Sequence, residues 1–457
     1  MSQLVEDKTL STRVIILRHG QSSYNSQGRI QGRSDLSVLT ERGIEDARLT
    51  GAAFQGLNFD KVYCSPLQRA QQTAATVLNS LGQEDRLHAD DRLLEIDLPL
   101  WETLLNQEVR EKYAQQYQAW KQSPHELKML LPQPDGSERE FFPVLALYAQ
   151  ARDFWQAILP QHQGQTILIV AHNGINRALI STALGISAEM YHSIQQSNCG
   201  VSVLNFSGNW GDSVQLESLN QTSHLGQPLP TFRPQNLGPR FLLVRHGETD
   251  WNRAGKFQGQ IDVPLNDRGR EQASLAAEFL KTVPIDFGVT SSMLRPKETA
   301  QIILAERTSL TLHEDADFRE IGHGLWEGKF EAEIKAAYPG ELERWHTQPE
   351  SVQMPEGENL QDVWNRATVA WQRTIAQIGN VPSTGIVVAH DATNKVLLCY
   401  LLKLGLADIW KIKQGNGAVT VIDYPDGIEG QPVIQALNLT SHLSGGDIFD
   451  RTAAGAL

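Results

Sequence analysis

The feature that most constrains this chain is a duplication running through nearly all of its 457 residues. The stretch Val14-Ile-Ile-Leu-Arg18-His19-Gly20 returns as Phe241-Leu-Leu-Val-Arg245-His246-Gly247, an offset of 246 − 19 = 227 residues. Later motifs return in the same order, and the offset falls in small steps to 390 − 172 = 218 residues. Small loop deletions on a shared scaffold produce such a drift, so this long period indicates two copies of a whole domain.

The repeat predicts two domains joined by a linker. We expect the first domain to span residues 12–225 and the second to span residues 240–450. Residues 226–239 between them are rich in proline and lack an apolar period, which is typical of a linker. Each copy is long enough to bury a hydrophobic core of its own.

Charge and cysteine content exclude several classes of partner. The formal net charge of −13 argues against nucleic acid or an anionic membrane surface as partner. The three scattered cysteines indicate reduced thiols. The first residues carry acidic side chains without an apolar core, and no apolar run is long enough to span a bilayer. We therefore expect a cytoplasmic protein of unknown oligomeric state.

Alternating strand and helix patterns predict an α/β fold in both copies. Short apolar runs bounded by charged or glycine residues read as buried strands, and helical stretches with N-cap residues Thr40 and Asn266 lie between them. The predicted strands are Val14–Leu17, Lys61–Cys64, Thr166–Val170, Phe241–Val244, Phe287–Thr290 and Gly385–Val388; the predicted helices are Glu41–Phe54, Leu67–Leu81, Asp267–Leu280 and Leu294–Leu304. Ligands of such sheets bind beyond the carboxyl ends of the strands, where Arg18, His19 and His172 fall.

The residues at these strand ends suit phosphoryl chemistry. Arginine presents paired donors that match phosphate oxygens and keeps its charge at working pH, and asparagine adds neutral donors. A neutral imidazole is a competent nucleophile toward phosphorus, and an adjacent arginine disfavours its protonation. The candidate nucleophiles are His19 and His246, and the candidate phosphate ligands are Arg18, Asn25, Arg69, Arg245, Asn252 and Arg295.

Two further residue types complete the candidate set. A second histidine, His172 or His390, would donate to phosphoryl oxygens as charge develops. A carboxyl group, Glu95 or Glu320, would protonate the leaving alcohol and then activate water. An arginine beside each histidine would repel a metal cation, and no zinc-binding or serine-hydrolase motif is present, so we expect neither a metal nor a cofactor.

Together these motifs resemble those of the histidine phosphatase superfamily, whose fold is phosphoglycerate mutase-like. The match includes Arg-His-Gly-x-x-x-x-Asn, the following Gln-Gly, Ser-x-x-x-Arg-x-x-x-Thr-Ala, Glu-Ile and Ala-His, and it covers both halves. The resemblance implies two tandem three-layer α/β/α domains and phosphomonoester hydrolysis through a phosphohistidine. It also implies that Gln31 and Gln258, which stand in the Gln-Gly motifs, belong to the substrate-binding residues.

The first half has a narrower resemblance, carried by residues 29–40, 95–98 and 196–204. These segments are similar to the plant 2-carboxy-D-arabinitol-1-phosphate phosphatases, which are also tandem proteins. That resemblance implies a small phosphorylated sugar or sugar acid as substrate, for example 2-carboxy-D-arabinitol 1-phosphate.

Two alternatives remain open from the sequence. One is mutase-type phosphoryl transfer, although the gaps of 172 − 95 = 77 and 390 − 320 = 70 residues are of the shorter, phosphatase type. The other is that one half only binds phosphate. Asp391 replaces Asn173 after the second histidine, and we expect its charge to repel phosphate and weaken the second half. Pro99 and Thr103 replace Gly324 and Gly328, which predicts a stiffer loop in the first half.

Overall fold

The computed structural model describes residues 11–232 and 235–449, and its chain divides into two compact units between Leu216 and Glu217. Arg233 and Pro234 of the expected linker, and the expected domain end at residue 450, lie outside the described residues. The expected domain limits 12–225 and 240–450 stay a prediction. Each unit is described by itself below.

The first unit contains a predominantly parallel sheet, a small hairpin and seven described α-helices. Its strands are β1 (Thr12–Arg18), β2 (Lys61–Cys64), β3 (Leu87–Ala89), β4 (Met129–Pro132), β5 (Glu138–Phe141), β6 (Thr166–Ala171), β7 (Val201–Phe206) and β8 (Val214–Gln221), within which the division between the units falls. Its helices are α1 (Ser23–Gln27), α2 (Glu41–Ala53), α3 (Gln68–Asn79), α4 (Asn106–Lys112), α5 (Ala114–Gln122), α6 (Pro143–Ile158) and α7 (Asn173–Leu184).

The second unit repeats this arrangement without the hairpin. Its strands are β9 (Arg240–Arg245), β10 (Phe287–Ser291), β11 (Leu312–Asp315), β12 (Thr384–Ala389), β13 (Val419–Asp423) and β14 (Val433–Leu439). Its helices are α8 (Asp250–Ala254), α9 (Asp267–Phe279), α10 (Leu294–Ile303), α11 (Glu331–Ala337), α12 (Glu341–Thr347), α13 (Leu360–Ile378) and α14 (Asp391–Leu401).

The two sheets have the same core topology. In the first unit β1, β2, β3 and β6 run parallel in the order β3-β2-β6-β1, and β7 joins β1 antiparallel. In the second unit the corresponding order is β11-β10-β12-β9, and β13 joins β9 antiparallel. Helices pack in pairs, α2 with α3 and α6 with α7 in the first unit. The α/β fold expected from the sequence is confirmed.

Local sequence signals explain why these elements form. The strand β1 is an almost continuous apolar run whose residues Val14 to Leu17 are fully buried, as in sheets covered on both faces. The predicted N-caps are confirmed, because the side chain of Thr40 accepts from Gly43 N at 3.1 Å and that of Asn266 accepts from Gly269 N at 2.8 Å. Every predicted strand and helix is present, with ends within two residues of expectation.

The interior also matches the expectation from composition. The three cysteines are buried and free. Trp155 and Trp371 occupy equivalent places in the cores of the two units, on α6 and α13. Within the described ranges, every helix is too short or too polar to cross a membrane.

The units differ most between the glutamate and the second histidine. In the first unit this segment holds the hairpin of β4 and β5, whose last residue is Phe141. Thr103 adopts a φ of 68°, close to the φ of 79° at the corresponding Gly328. A β-branched residue in this left-handed region carries strain of about 1–2 kcal/mol, so the loop shape has been kept although its glycine is gone.

Two glycines let α2 approach the loop that follows β1. A Cβ on Gly43 would collide with the carbonyl oxygen of Gln21, and a Cβ on Gly20 would collide with that of Gly43. The second unit repeats this close approach between Gly247 and Gly269. The loop after each Arg-His pair is therefore held directly against a helix.

This close approach predicts the effect of Gly43→Ala. Alanine favours helices over glycine by about 1 kcal/mol, yet here we expect the free energy of unfolding to fall by about 1–3 kcal/mol from the clash. Chemical denaturation of the whole protein measures the change. Arg42→Ala, at a neighbouring side chain that is 63% exposed, is the control and should change stability by less than about 0.5 kcal/mol. A stabilising Gly43→Ala would contradict the close approach.

Candidate active site

The register of two neighbouring parallel strands brings the two candidate histidines of each unit together. Arg18 on β1 lies opposite Ala171 on β6, so the next residues, His19 and His172, follow the ends of these two strands side by side. The backbone N–H of His19 donates to Ala171 O at 2.9 Å, and the imidazole centroids of His19 and His172 are 5.1 Å apart. The second unit reproduces this pair with His246 and His390 at 5.2 Å.

The first histidine of each pair has a fixed orientation. Nδ1 of His19 lies 2.7 Å from Gly20 O, and Nδ1 of His246 lies 2.7 Å from Gly247 O. A carbonyl oxygen only accepts, so Nδ1 must carry the proton and Nε2 of the neutral ring keeps its lone pair. Each ring thus presents an unprotonated Nε2.

Burial and positive charge keep these rings neutral. The pKa of His19 is well below its ordinary value because the ring is buried, and because the Arg18 and Arg69 guanidiniums lie nearby. The pKa of His246 is lowered in the same way by burial, Arg295 and Arg245. The neutral form needed for attack on phosphorus is therefore favoured at ordinary pH.

Arginines from two different elements surround each of these rings. Nη1 of Arg18 donates to Gln196 O at 2.8 Å, and the two Nη atoms of Arg69 donate to Ser34 O and Gly32 O at 2.8 and 3.0 Å. Burial lowers the pKa of Arg18 to about 10. Among the described residues, Nε of Arg18 and Nε of Arg69 are buried without a hydrogen-bond partner. Two buried donors are thus available to an anion, which would remove the cost of leaving them unsatisfied.

We call the two arginines and the first histidine of each unit its phosphate cradle. In the second unit this cradle contains a hydrogen bond between its own members. Nε of Arg295 donates to Nε2 of His246 at 3.2 Å, and its Nη atoms donate to Gly259 O and Ile261 O. Nη1 of Arg245 donates to Gln414 O at 2.6 Å, as Arg18 does to Gln196. A phosphoryl group would have to displace the Arg295–His246 hydrogen bond.

A serine at the end of the next strand orients the second histidine. Nε2 of His172 lies 2.7 Å from the hydroxyl of Ser65, and Nε2 of His390 lies 2.9 Å from that of Ser291. When the hydroxyl donates to Nε2, Nδ1 carries the proton, and within the described residues Nδ1 of His172 is buried without a partner. This histidine can therefore donate to a phosphoryl oxygen.

Each candidate glutamate is held at the start of a helix. The Glu95 carboxylate accepts from the backbone N–H groups of Ile96, Gly174 and Ile175 at 2.8–3.1 Å. The Glu320 carboxylate accepts from those of Ile321, Ala392 and Thr393 at 3.0–3.3 Å. Burial, and then the negative charge of Asp391, raises the pKa of Glu320. Such a carboxyl group holds its proton to a higher pH than a solvated one.

The remaining predicted ligands are an asparagine and a glutamine in each unit, and those of the second unit line its cleft. Oδ1 of Asn25 accepts from Ser22 N, and Oδ1 of Asn252 accepts from Thr249 N, so each side chain caps the start of its own helix. Oε1 of Gln31 accepts from the hydroxyls of Ser22 and Ser37, whereas Gln258 lines the second cleft. All predicted site residues are thus brought to the carboxyl ends of the strands.

Sequence reasoning missed two kinds of supporting residue. Asn198 and Asn416 donate to the backbone carbonyls of His19 and His246 at 2.9 and 3.0 Å. Thr73 and Thr299 accept from the N–H groups of Gly20 and Gly247. Both kinds stand at matching places in the repeat, so comparing the two halves with each other would have found them.

The second cleft also contains the aspartate expected to repel phosphate. A cleft opens over His246, and Asp391 lines it. The Asp391 carboxylate lies 3.5 Å from Nη1 of Arg245 and 2.8 Å from Nζ of Lys395. Its charge is therefore paired with two cations and does not face the phosphate site alone.

Metal-ligand clusters are not found in the ranges that the structure describes. There, no group of three or more histidine, cysteine, aspartate or glutamate side chains is arranged to hold a metal ion. The positive charge around each histidine pair comes from arginine side chains.

Comparisons with known proteins agree with this geometry. Residues 14–221 and 241–440 each match the sequence model of the histidine phosphatase superfamily (branch 1). The 2-carboxy-D-arabinitol-1-phosphatase of Triticum aestivum is 32% identical over 442 residues, covering 94% of this chain and 86% of that protein. Phosphoserine phosphatase 1 of Hydrogenobacter thermophilus is 33% identical over 45% of this chain and 94% of its own length. A 2,3-bisphosphoglycerate-dependent phosphoglycerate mutase of Methanosarcina acetivorans is 26% identical over 41% of this chain and 92% of its own length.

The two cradles predict two binding sites for inorganic phosphate per chain. We expect Arg295→Ala to weaken one of them about ten- to hundredfold, because hydrogen bonds from charged donors are lost, and to leave the other unchanged. Titration calorimetry with inorganic phosphate measures both affinity and stoichiometry. Arg270→Ala, which removes an exposed guanidinium from α9, is the matched control. Two unchanged sites in the Arg295 variant would contradict the assignment.

Proposed function

Because this chain belongs to the histidine phosphatase superfamily, we propose that each of its units hydrolyses phosphomonoesters through a phosphohistidine intermediate. The observation that carries the proposal is the neutral, buried imidazole of His19 or His246, whose Nε2 keeps its lone pair between two arginines. A nucleophile and a cradle for a dianion thus occupy one place in each unit.

The contacts support a two-step reaction. Nε2 of His19 attacks phosphorus, the ester P–O bond breaks, and Glu95 gives its proton to the departing alkoxide. Water then attacks the phosphohistidine, Glu95 takes up a proton from that water, and inorganic phosphate leaves. His246 and Glu320 take these parts in the second unit.

The cradle residues stabilise the charge that the transferring phosphoryl group carries. Arg18 and Arg69 bring positive charge from two elements, and the N–H group of His172 adds a donor on the side of the second histidine. These donors are fixed before substrate arrives, so little reorganisation is needed during the reaction. In the second unit Arg245, Arg295 and His390 have these roles, while Asn25, Asn252, Gln31 and Gln258 contact the substrate at the entrance.

The proposed substrates are small phosphorylated sugars or sugar acids. Support comes from the whole-length similarity to a protein named 2-carboxy-D-arabinitol-1-phosphatase, so 2-carboxy-D-arabinitol 1-phosphate is the first compound to test. A panel of sugar phosphates should include it beside phosphoserine, because a single-unit relative is named a phosphoserine phosphatase.

Mutase-type transfer is the second candidate, favoured by the similarity to a phosphoglycerate mutase. The short gaps between each glutamate and its second histidine favour hydrolysis, because a longer insertion would be needed to shield the phosphoenzyme from water. Release of inorganic phosphate, measured beside phosphoryl transfer to a second alcohol, separates the two. A third possibility, that one unit only binds phosphate, is opposed by the complete set of site residues in both.

We expect each nucleophilic histidine to account for the activity of its own unit. His19→Ala should remove turnover and phosphoenzyme formation in the first unit, and His246→Ala should do so in the second. The double variant should lose at least about a thousandfold of the activity, because Nε2 of the remaining histidine in each unit is already engaged by a serine hydroxyl. Trapping with ³²P-labelled substrate should give acid-labile, base-stable label in each single variant. Retained turnover in the double variant would contradict the covalent mechanism.

The raised pKa of Glu320 predicts the pH dependence of the second unit. The donor must be protonated to act, so in the His19→Ala protein phosphoenzyme formation should decline as pH rises through a value above the ordinary 4.5 of glutamate. Asp391→Asn removes a negative neighbour, so the decline should move to lower pH. Single-turnover rates at saturating substrate measure it, with Asp267→Asn at a fully exposed side chain as control. No displacement in the Asp391 variant would refute the role of Glu320.

A further inference from the structure

The residue after the second histidine is a carboxylate in the second unit and an amide in the first. In the second unit Asp391 begins α14 and bonds Lys395 one helical turn later, at 2.8 Å. Nζ of Lys395 also lies 4.6 Å from the ring centroid of Trp410, so the cation is held from two sides. Asp391, Lys395 and Trp410 all line the cleft over His246.

The first unit keeps this framework without the carboxylate. Asn173 begins α7, and Arg177 follows it at the position of Lys395. Arg177 donates to Nδ1 of His192 at 3.2 Å and to Oε1 of Gln195 at 2.9 Å. His192 stands where Trp410 stands, and its Nε2 lies 2.8 Å from Trp120 O.

The two frameworks share one hydrogen bond, from the ring at this position to a tryptophan carbonyl. Nε1 of Trp410 donates to Trp345 O at 2.8 Å, as Nε2 of His192 does to Trp120 O. Burial and the positive charge of Arg177 lower the pKa of His192 to about 3, so this imidazole is neutral. The two helices therefore differ in charge at their first residue, which is the neutral Asn173 in α7 and the negatively charged Asp391 in α14.

We infer that Asp391 restricts the second site to monoesters of uncharged alcohols, whereas Asn173 leaves the first site open to monoesters whose alcohol carries a further anionic group. The inference rests on the proposed function and names the substrate class of each site. It follows from geometry, because an alcohol attached to phosphate at His246 must extend into the cleft that Asp391 and Glu320 line.

The charges that line the second cleft predict weaker binding of a substrate carboxylate. Asp391 already forms ion pairs with Arg245 and Lys395, so these cations attract an entering carboxylate less strongly. The negative charge of Asp391 also repels that carboxylate directly. Like charges in one cleft repel each other, so we expect the Asp391 carboxylate to weaken binding of an anionic alcohol group about tenfold. The neutral amide of Asn173 exerts no such repulsion.

The test uses two substrates that differ in one group. Glycerol 3-phosphate and 3-phosphoglycerate differ in having a hydroxymethyl group or a carboxylate at the far carbon. In the His19→Ala full-length protein, where only the second unit turns over, Asp391→Asn should raise the ratio of kcat/KM for the acid over the neutral substrate at least about tenfold. In the His246→Ala protein, Asn173→Asp should lower that ratio by a similar factor.

The controls separate charge from packing. Asp391→Glu perturbs the helix start but keeps the charge, so it should keep the preference for the neutral substrate. Raising the salt concentration should narrow the difference between the two substrates only where the aspartate is present. An unchanged ratio of the two substrates in Asp391→Asn, whatever the change in their absolute rates, would overturn the inference.

The experiment distinguishes a failure of the proposed charge selectivity from a failure of the proposed phosphatase activity. Turnover with an unchanged substrate ratio overturns the charge selectivity and leaves the phosphatase activity standing. Absence of phosphate release from both substrates and from the sugar-phosphate panel, in every background, overturns the proposed function and the inference with it.

Discussion

Buried positive charge beside a neutral imidazole is the constraint on which the rest of each unit depends. Arg69 and Arg295 are almost wholly inaccessible, and burying a guanidinium without partners is costly. Backbone carbonyls of the neighbouring loop take up the Nη donors, and a glutamate at a helix start supplies a nearby negative charge. In the first unit, Nε of Arg18 and Nε of Arg69 remain buried without a partner among the described residues and are available to an anion. The loop after the first strand, the close glycine contacts and the strand register all maintain this arrangement.

The two copies share the histidine pair and its supporting residues, and they differ in the segments around them. The histidine pair has almost the same separation in both units, and the serine, threonine and asparagine that support it recur. The surroundings differ in a hairpin, in the loop where Thr103 takes a conformation that glycine prefers, and in one carboxylate. Since remote binding energy distinguishes substrates while the cradle performs chemistry, this is the pattern expected of two sites with one reaction and different alcohols.

The expectation that Asp391 would weaken the second site took account of its charge but not of its partners. A carboxylate one residue after a catalytic histidine invites the conclusion that it repels phosphate. The structure places it against Arg245 and Lys395, so its charge is paired with two cations. Burial, and then the negative charge of Asp391, raises the pKa of Glu320.

The sequence by itself determined the duplication, the α/β class, the strand and helix positions, and the residue types of both cradles. It could do so because apolar runs, N-caps and the order of polar motifs are local or repeated signals. Only the tertiary structure decided which atoms meet. The placement of His172 beside His19 depends on the β1–β6 register, and the orientation of Glu95 depends on amides at the start of a distant helix. Those distances are set by how strands pair and where helices begin, and no spacing along the chain encodes them.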